Sequence, residues 1–291
     1  MTTISASMVK DLRERTGLGM MDCKKALAEA DGNMDKAIED LRKASGLKAA
    51  KKASRVAAEG IVMTQVAEDG NYGAIIEINS ETDFVARDDN FLAFSKDVLN
   101  VAFANSDADV DALLNSGVED LREKLVQKIG ENVNVRRVDR LQFDNADQGI
   151  VESYVHSNNR IAVLISLKGG DEALARDIAM HIAAVNPMVV RPEDVPEEIL
   201  AKESEIYSAQ ARESGKPEEI IEKMISGRLR KFISEVSLLE QPFVKDPEIK
   251  ISALLKESGA DIVNFVRYEV GEGIEKEEED FAAEVAAQLN N

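Results

Sequence analysis

Apolar residues recur at spacings of three and four through the first forty residues, and then the period changes to two. Met8, Val9 and Leu12 predict a first helix, capped by Ser5 and broken at Gly17 and Gly19. Ala26, Leu27 and Ala30 mark a second, with Asp22 as its expected cap. A turn at Asp31, Gly32 and Asn33 leads to a third helix on Met34, Ala37, Ile38 and Leu41. A compact three-helix bundle over 1–45 is expected. The segment 46–58, with Lys48, Lys51, Lys52 and Arg55, reads as a basic linker, with helix as an option for it.

From Glu59 the chain alternates. Ile61, Met63 and Gln65 interleave with Val62, Thr64 and Val66; Asp69, Gly70 and Asn71 form a turn; a second strand follows over 72–79. Phe91, Phe94, Val98 and Val101 give a helix face, a further helix falls near 118–129, and 132–137 alternates as another strand. The pattern then repeats. Gly60, Ile61 and Val62 recur as Gly149, Ile150 and Val151; the strand 72–79 is echoed at 160–167 across a turn at Ser157, Asn158 and Asn159. The helix at 91–102 is echoed at 174–185. Such a repeat implies two related α+β subdomains with antiparallel sheets, 59–140 and 141–270. Gly60 lies 89 residues before Gly149, but Phe91 only 83 before Leu174, so the first copy carries six extra residues. Most of them fall between its second strand and its helix, in the segment SETDFVARDDNF at 80–91. Phe84 and Val85 sit there among acidic and small polar residues, with no period to bury them. An apolar pair in an insertion that the sister copy lacks points to function rather than core.

Residues 196–236, inside the second subdomain, read as a helical hairpin. Ser214 and Gly215 stop one helix and Pro217 opens the next. Val195, Ile199 and Ile206 face Ile221, Ile225, Leu229, Phe232 and Val236. A last strand is expected over 261–270. The module 271–291 then breaks at two glycines into an acidic C-terminal helix over 274–289, with Phe281, Val285 and Leu289 on one face.

Composition narrows the classes. Hydrophobic residues make up 44% and charged residues 31%, the balance of a folded globular chain. The net charge of −19 argues against direct nucleic-acid binding, which needs Lys and Arg to displace counterions. Residues 1–55 nevertheless hold 12 Lys/Arg against 8 Asp/Glu, a net of +4 that leaves −23 for the rest and sets the bundle apart. The longest apolar run, near 161–167, is strand-sized, so no membrane partner is expected. The opening MTTISASMVKDLRERTG lacks a signal-peptide pattern, and a cytoplasmic protein is expected. A lone Cys23 excludes an internal disulfide framework and reads as a small buried residue.

Candidate chemistry is sparse. No phosphate-binding glycine loop is present, and the stretch at Asp31 fails the calcium-loop pattern because Lys36 and Arg42 stand where ligands belong. Neither a cofactor nor a metal is expected, and no residue is assigned a catalytic role. Of two histidines, His181 lies on an apolar helix face and reads as structural, whereas His156 precedes a turn and should be accessible.

Longer motifs carry a resemblance. The stretches TGLGMMDCKKALAEADGNMDKAIEDLRK, TDFVARDDNF, KIGENVNVRR, MHIAA, SLLEQPFV and VGEGIEK, in this order over essentially the full length, resemble the bacterial translation elongation factor Ts family. That family implies a ubiquitin-associated-type domain for 1–45, a two-subdomain core and a protruding coiled-coil hairpin that in some members mediates dimerisation. It implies a guanine nucleotide exchange factor for elongation factor Tu, not an enzyme. Such a factor binds the GDP-bound GTPase, promotes GDP release and is displaced by GTP, in support of translation elongation. By resemblance, Thr82, Asp83, Phe84 and Val85 contact the GTPase near its Mg²⁺. His156 matches a contact near its phosphate loop, and Arg13, Met20 and Met21 match contacts to a neighbouring helix. Two other readings stand beside this one. One is a scaffold without effect on nucleotide release; the other is a metal enzyme using Glu81, Asp83, Asp88 and Asp89.

Overall fold

A computed structural model of the chain describes residues 4–144, 149–213 and 217–275. The elements run α1 (Ala6–Thr16), α2 (Met20–Glu29), α3 (Met34–Lys52), β1 (Glu59–Val66), β2 (Tyr72–Ser80), α4 (Asp89–Ala104), α5 (Val110–Leu113), α6 (Glu119–Ile129) and β3 (Val133–Gln142). There follow β4 (Ile150–Val155), β5 (Ile161–Lys168), α7 (Glu172–Val185), α8 (Glu197–Arg212), α9 (Glu218–Val236), β6 (Pro242–Phe243), β7 (Asp246–Lys250), α10 (Ile251–Glu257) and β8 (Asp261–Glu269). The fold is α+β with small antiparallel sheets.

The bundle forms where its pattern places it. Ser5 Oγ accepts from the Met8 N–H at 3.3 Å, and Gly17, at φ +70°, ends α1 by donating to the Arg13 carbonyl. Leu12, Cys23, Leu27 and Ala37 are fully buried between the three helices. Two expectations are corrected. Gly19, not Asp22, precedes α2, and Asp22 sits in the first turn, where a negative charge faces the helix dipole favourably. Helix α3 does not stop at 45 but runs on to Lys52, because Ser45 and Ala49 continue its buried face. Ala49 packs with Ile61, Phe91 and Val98, so this helix belongs to two cores at once.

Each repeat is a three-stranded sheet with one helix on its face, in strand orders β1-β2-β3 and β4-β5-β8. In the first, Ile76, Ile78, Phe91, Phe94 and Val98 form the sheet–helix core; in the second, Val163, Ile165, Leu167, Ile178 and Ile182 do so. The opposite faces pack against one another through Val62, Ile75, Val151, Ala162, Leu164 and Tyr268. The 89-residue offset holds at atomic detail: Thr64 donates to Ser153, its counterpart, at 3.1 Å. Both sheets also shift register at matching places, Glu77/Ile78 and Ser166/Leu167. Gly73 permits the sheets to meet, since a Cβ there would lie 2.8 Å from Leu164 Cδ1 and 2.9 Å from Val151 Cγ1.

Helices α8 and α9 pack on each other, with Ala211 and Ile221 buried between them, and contribute no residue to the core clusters. The Met188 and Val189 N–H groups donate to the Val236 carbonyl and fasten the hairpin's base. The pattern did not reveal the short α5, α10, β6 and β7. Residues 214–216 of the expected hairpin lie outside the described residues; of the acidic helix expected over 274–289, Ile274 and Glu275 are not helical and the remainder lies outside the described residues.

His181 is fully buried, as its apolar helix face implied. Its Nε2 meets Gln241 Oε1 at 2.9 Å and its Nδ1 accepts from the Val244 N–H at 3.3 Å. Burial holds its pKa below the ordinary 6.5, against a smaller opposing effect of the Gln241 bond. Below 6.5 the unfolded chain binds a proton that the folded one refuses, so stability must fall as pH drops from 6.5 toward the folded value. Denaturation midpoints at pH 7.5 and 5.5 should therefore differ, and His181→Gln should flatten that difference.

Candidate functional site

The connection 81–88 joins β2 to α4, whereas its counterpart 169–171 joins β5 to α7 in three residues. The first connection is thus five residues longer, and most of the six extra residues fall there. Ser80 Oγ donates to the Thr82 carbonyl at 2.9 Å and turns the chain out of the strand. The Thr82 N–H and hydroxyl both donate to the Glu131 carboxylate, at 3.0 and 2.7 Å. A single 3-10 turn, Val85–Arg87, follows, and Asp88 then caps α4 by accepting from the Asn90 and Phe91 N–H groups. Hydrogen bonding from the Asn90 side chain is the main reason the Asp88 carboxyl titrates below its usual range.

This geometry divides the apolar pair. Val85 is 9% exposed and joins the core beside Phe91 and Phe94, whereas Phe84 is 81% exposed. Residues one apart in a 3-10 turn point about 120° from each other. Only one of the two can reach the core. The expectation that neither had a core to join is corrected for Val85; Phe84 stands out alone.

Asp83 pairs with Arg87 at 2.8 Å, the Arg87 side chain largely in solvent and that of Asp83 half-buried. These two residues and Gly60 form one wall of a groove of about 400 Å³, and Ser157, Asn158 and Asn159 form the other. The second subdomain's turn is therefore brought against the first subdomain's insertion, and the Val62 N–H donates to the Asn159 carbonyl at 2.9 Å across the join. His156, exposed one residue before that turn, meets the Tyr154 hydroxyl through Nδ1 at 3.1 Å.

Arg13, Met20 and Met21 come together elsewhere. They line an apolar groove of about 550 Å³ between α1 and α2, with Val9 at its floor and Lys10 and Lys24 at its rim. Met20 is 60% and Met21 74% exposed, so neither packs the bundle. The alternation and spacing arguments missed Glu131 and the Ser157–Asn159 wall, whose roles exist only through contacts 49 and more residues distant.

Three of the four carboxylates weighed as a metal site have other partners, and the fourth, Asp89, lies in the first turn of α4. Glu81 accepts from the Asn132 N–H at 2.5 Å and pairs with Arg55, Asp83 pairs with Arg87, and Asp88 caps a helix. Among the described residues no group of three or more His, Cys, Asp or Glu is arranged to hold a metal ion. None of their helices is long and apolar enough to cross a membrane.

An α+β protein that presents one aromatic side chain on a fastened loop beside one groove, with a second, apolar groove on its helical bundle, has the features of a protein-binding factor. Residues 81–272 match the family model described as elongation factor TS. The chain is 64% identical to the elongation factor Ts of Hahella chejuensis over 289 residues, 99% of each chain. It is 63% identical to those of Teredinibacter turnerae and Saccharophagus degradans, with 97% or more of each chain covered. The chain belongs to the elongation factor Ts family.

Proposed function

We propose that the protein is a guanine nucleotide exchange factor for elongation factor Tu, acting by contact rather than by covalent catalysis. Exposed Phe84 on an otherwise fastened loop is the observation that carries this reading. A GTPase holds GDP through its phosphate loop and a Mg²⁺ that neutralises the phosphates. In this proposal Phe84 enters the GTPase between two helices near that metal, and Asp83 disturbs the hydrogen bonds that support it. Asp83 must first leave Arg87, a surface ion pair worth only about 0–1 kcal/mol. The His156 turn across the groove reaches the phosphate-loop side, so each subdomain, 59–140 and 141–270, supplies one contact. Val85 anchors the loop from below. Binding is reciprocal: the factor by which the protein weakens GDP is the factor by which nucleotide weakens the protein, which is why GTP displaces it.

The rate at which a fluorescent GDP analogue leaves elongation factor Tu, with and without this protein, tests the reading. Acceleration is expected. An unchanged rate would leave only the scaffold alternative.

In the same proposal the bundle 1–45 contributes affinity through its α1–α2 groove. Met20→Ser with Met21→Ser should raise the half-saturating concentration of the factor about tenfold, the weight of one buried Met, and leave the maximal release rate unchanged. For the hairpin, Ile206 at 39% and Ile220 at 45% exposure support a self-association surface. Sizing of the protein before and after excision of 197–236 tests that role.

A further inference from the structure

Glu131 stands in the turn after α6, next to Gly130 at φ +89°. Both its carboxylate oxygens are taken by one residue of the exposed loop, the Thr82 N–H on Oε2 and the Thr82 hydroxyl on Oε1. The link is returned in the opposite sense by the neighbouring pair: Glu81 accepts from the Asn132 N–H and pairs with Arg55 at 3.5 Å. Asn132 is itself fully buried and donates its side-chain amide to the Arg55 carbonyl at 2.8 Å. The Val85 N–H points back to Thr82 Oγ1 at 3.4 Å, and the Val85 side chain is in the core. Phe84 is thus exposed between two fixed points, Thr82 and Val85. Among the described residues the sister connection 169–171 has no such partner, and it carries two glycines instead.

We propose that Glu131 is a positioning residue for nucleotide release: it pre-orders the 82–85 turn so that Phe84 meets the GTPase without first losing loop freedom. This rests on the exchange reading above. Ordering a loop on binding is paid from the binding energy, and a loop already ordered keeps that energy for deforming the partner. Hydrogen bonds to an ionised acceptor are roughly twice as strong as neutral ones, and here one carboxylate supplies two.

The experiment measures maximal GDP-release rate and half-saturating concentration for Glu131→Ala, Glu131→Gln, Phe84→Ala and the Glu131→Ala/Phe84→Ala pair. Loss of two hydrogen bonds to a charged group should lower the maximal rate about tenfold in Glu131→Ala. Glu131→Gln should recover most of it, because a glutamine amide can accept from the Thr82 N–H and donate to the Thr82 hydroxyl oxygen. The double variant should be no slower than Phe84→Ala, since with Phe84 gone nothing remains to be positioned. Amide hydrogen exchange at 82–85 should quicken in Glu131→Ala and not in Glu131→Gln. The proposal is overturned if Glu131→Ala releases GDP at the parent rate, or if its effect multiplies with that of Phe84→Ala. A slow Phe84→Ala with a normal Glu131→Ala removes this inference alone, whereas a normal Phe84→Ala removes the exchange-site reading and the inference with it.

Discussion

Phe84→Ala should lower the accelerated release of GDP from elongation factor Tu by about ten- to a hundredfold, the kinetic equivalent of the 1.5–3 kcal/mol that burial of one Phe provides. Its stability should stay within about 0.5 kcal/mol of the parent, because a side chain 81% exposed has almost no native contact to lose. Val85→Ala is the opposite case. It removes two methyl groups from the cluster that holds Phe91 and Phe94, and should lower stability by about 2 kcal/mol. Stopped-flow release and denaturant unfolding on both variants check the contrast. If Phe84→Ala melts early and Val85→Ala does not, the assignment of the two residues is reversed and Phe84 belongs to the core in solution.

That contrast marks where the sequence was readable and where it was not. The strands, the long helices and the bundle follow from periods of two and 3.6, because each element buries one face and side-chain direction repeats with the backbone. The repeat was legible for the same reason: two copies with the same burial demands keep Gly60 and Gly149 at the same offset as Thr64 and Ser153. The insertion at 81–88 could be located by subtraction, yet its inside could not be read. A 3-10 turn has no amphipathic signature in three residues, so nothing in the sequence separates Val85 from Phe84. Glu131 was harder still, since a carboxylate in a Gly-Glu-Asn turn looks like any solvated one until the fold sets it beside Thr82. The extent of α3 was left open because its continuation over 46–52 is rich in lysine, and only Ser45 and Ala49, both small, mark the buried face.

Glu77 was equally invisible, and its removal should have the largest effect on stability. Residues adjacent in a strand point to opposite faces, so Arg136 and Arg137 would not ordinarily share a partner. Here β3 carries an extra residue: Glu77 pairs with Arg137 and Ile78 with Val135, which leaves Arg136 as the bulge. Both guanidinium groups then reach the fully buried Glu77 carboxylate, Arg136 at 3.0 Å and Arg137 at 2.5 Å. Asn79 donates at 3.0 Å, and the Gly271 N–H donates at 2.8 Å from the end of the second sheet. Gly271 must be glycine for this, as a Cβ would lie 2.3 Å from the Ala58 carbonyl oxygen. Burial works to raise the Glu77 pKa, but the Gly271 and Asn79 hydrogen bonds and the Arg137 charge together hold it below 4.5. Glu77→Ala leaves Arg136 without a carboxylate partner and Arg137 with Glu272 alone, at 3.3 Å, around a buried space. The expected loss is about 3 kcal/mol, the low end for a broken buried pair, because both arginines keep some contact with water. The stabilisation is fully present above pH 4.5 and is lost as pH falls through the depressed folded value, where the folded state must take up a proton that the unfolded chain already holds. Unfolding free energies at pH 7 and pH 3.5 should therefore converge between the parent and Glu77→Gln. A variant gap that stays constant across that range would show that Glu77 acts through packing, and not through its charge.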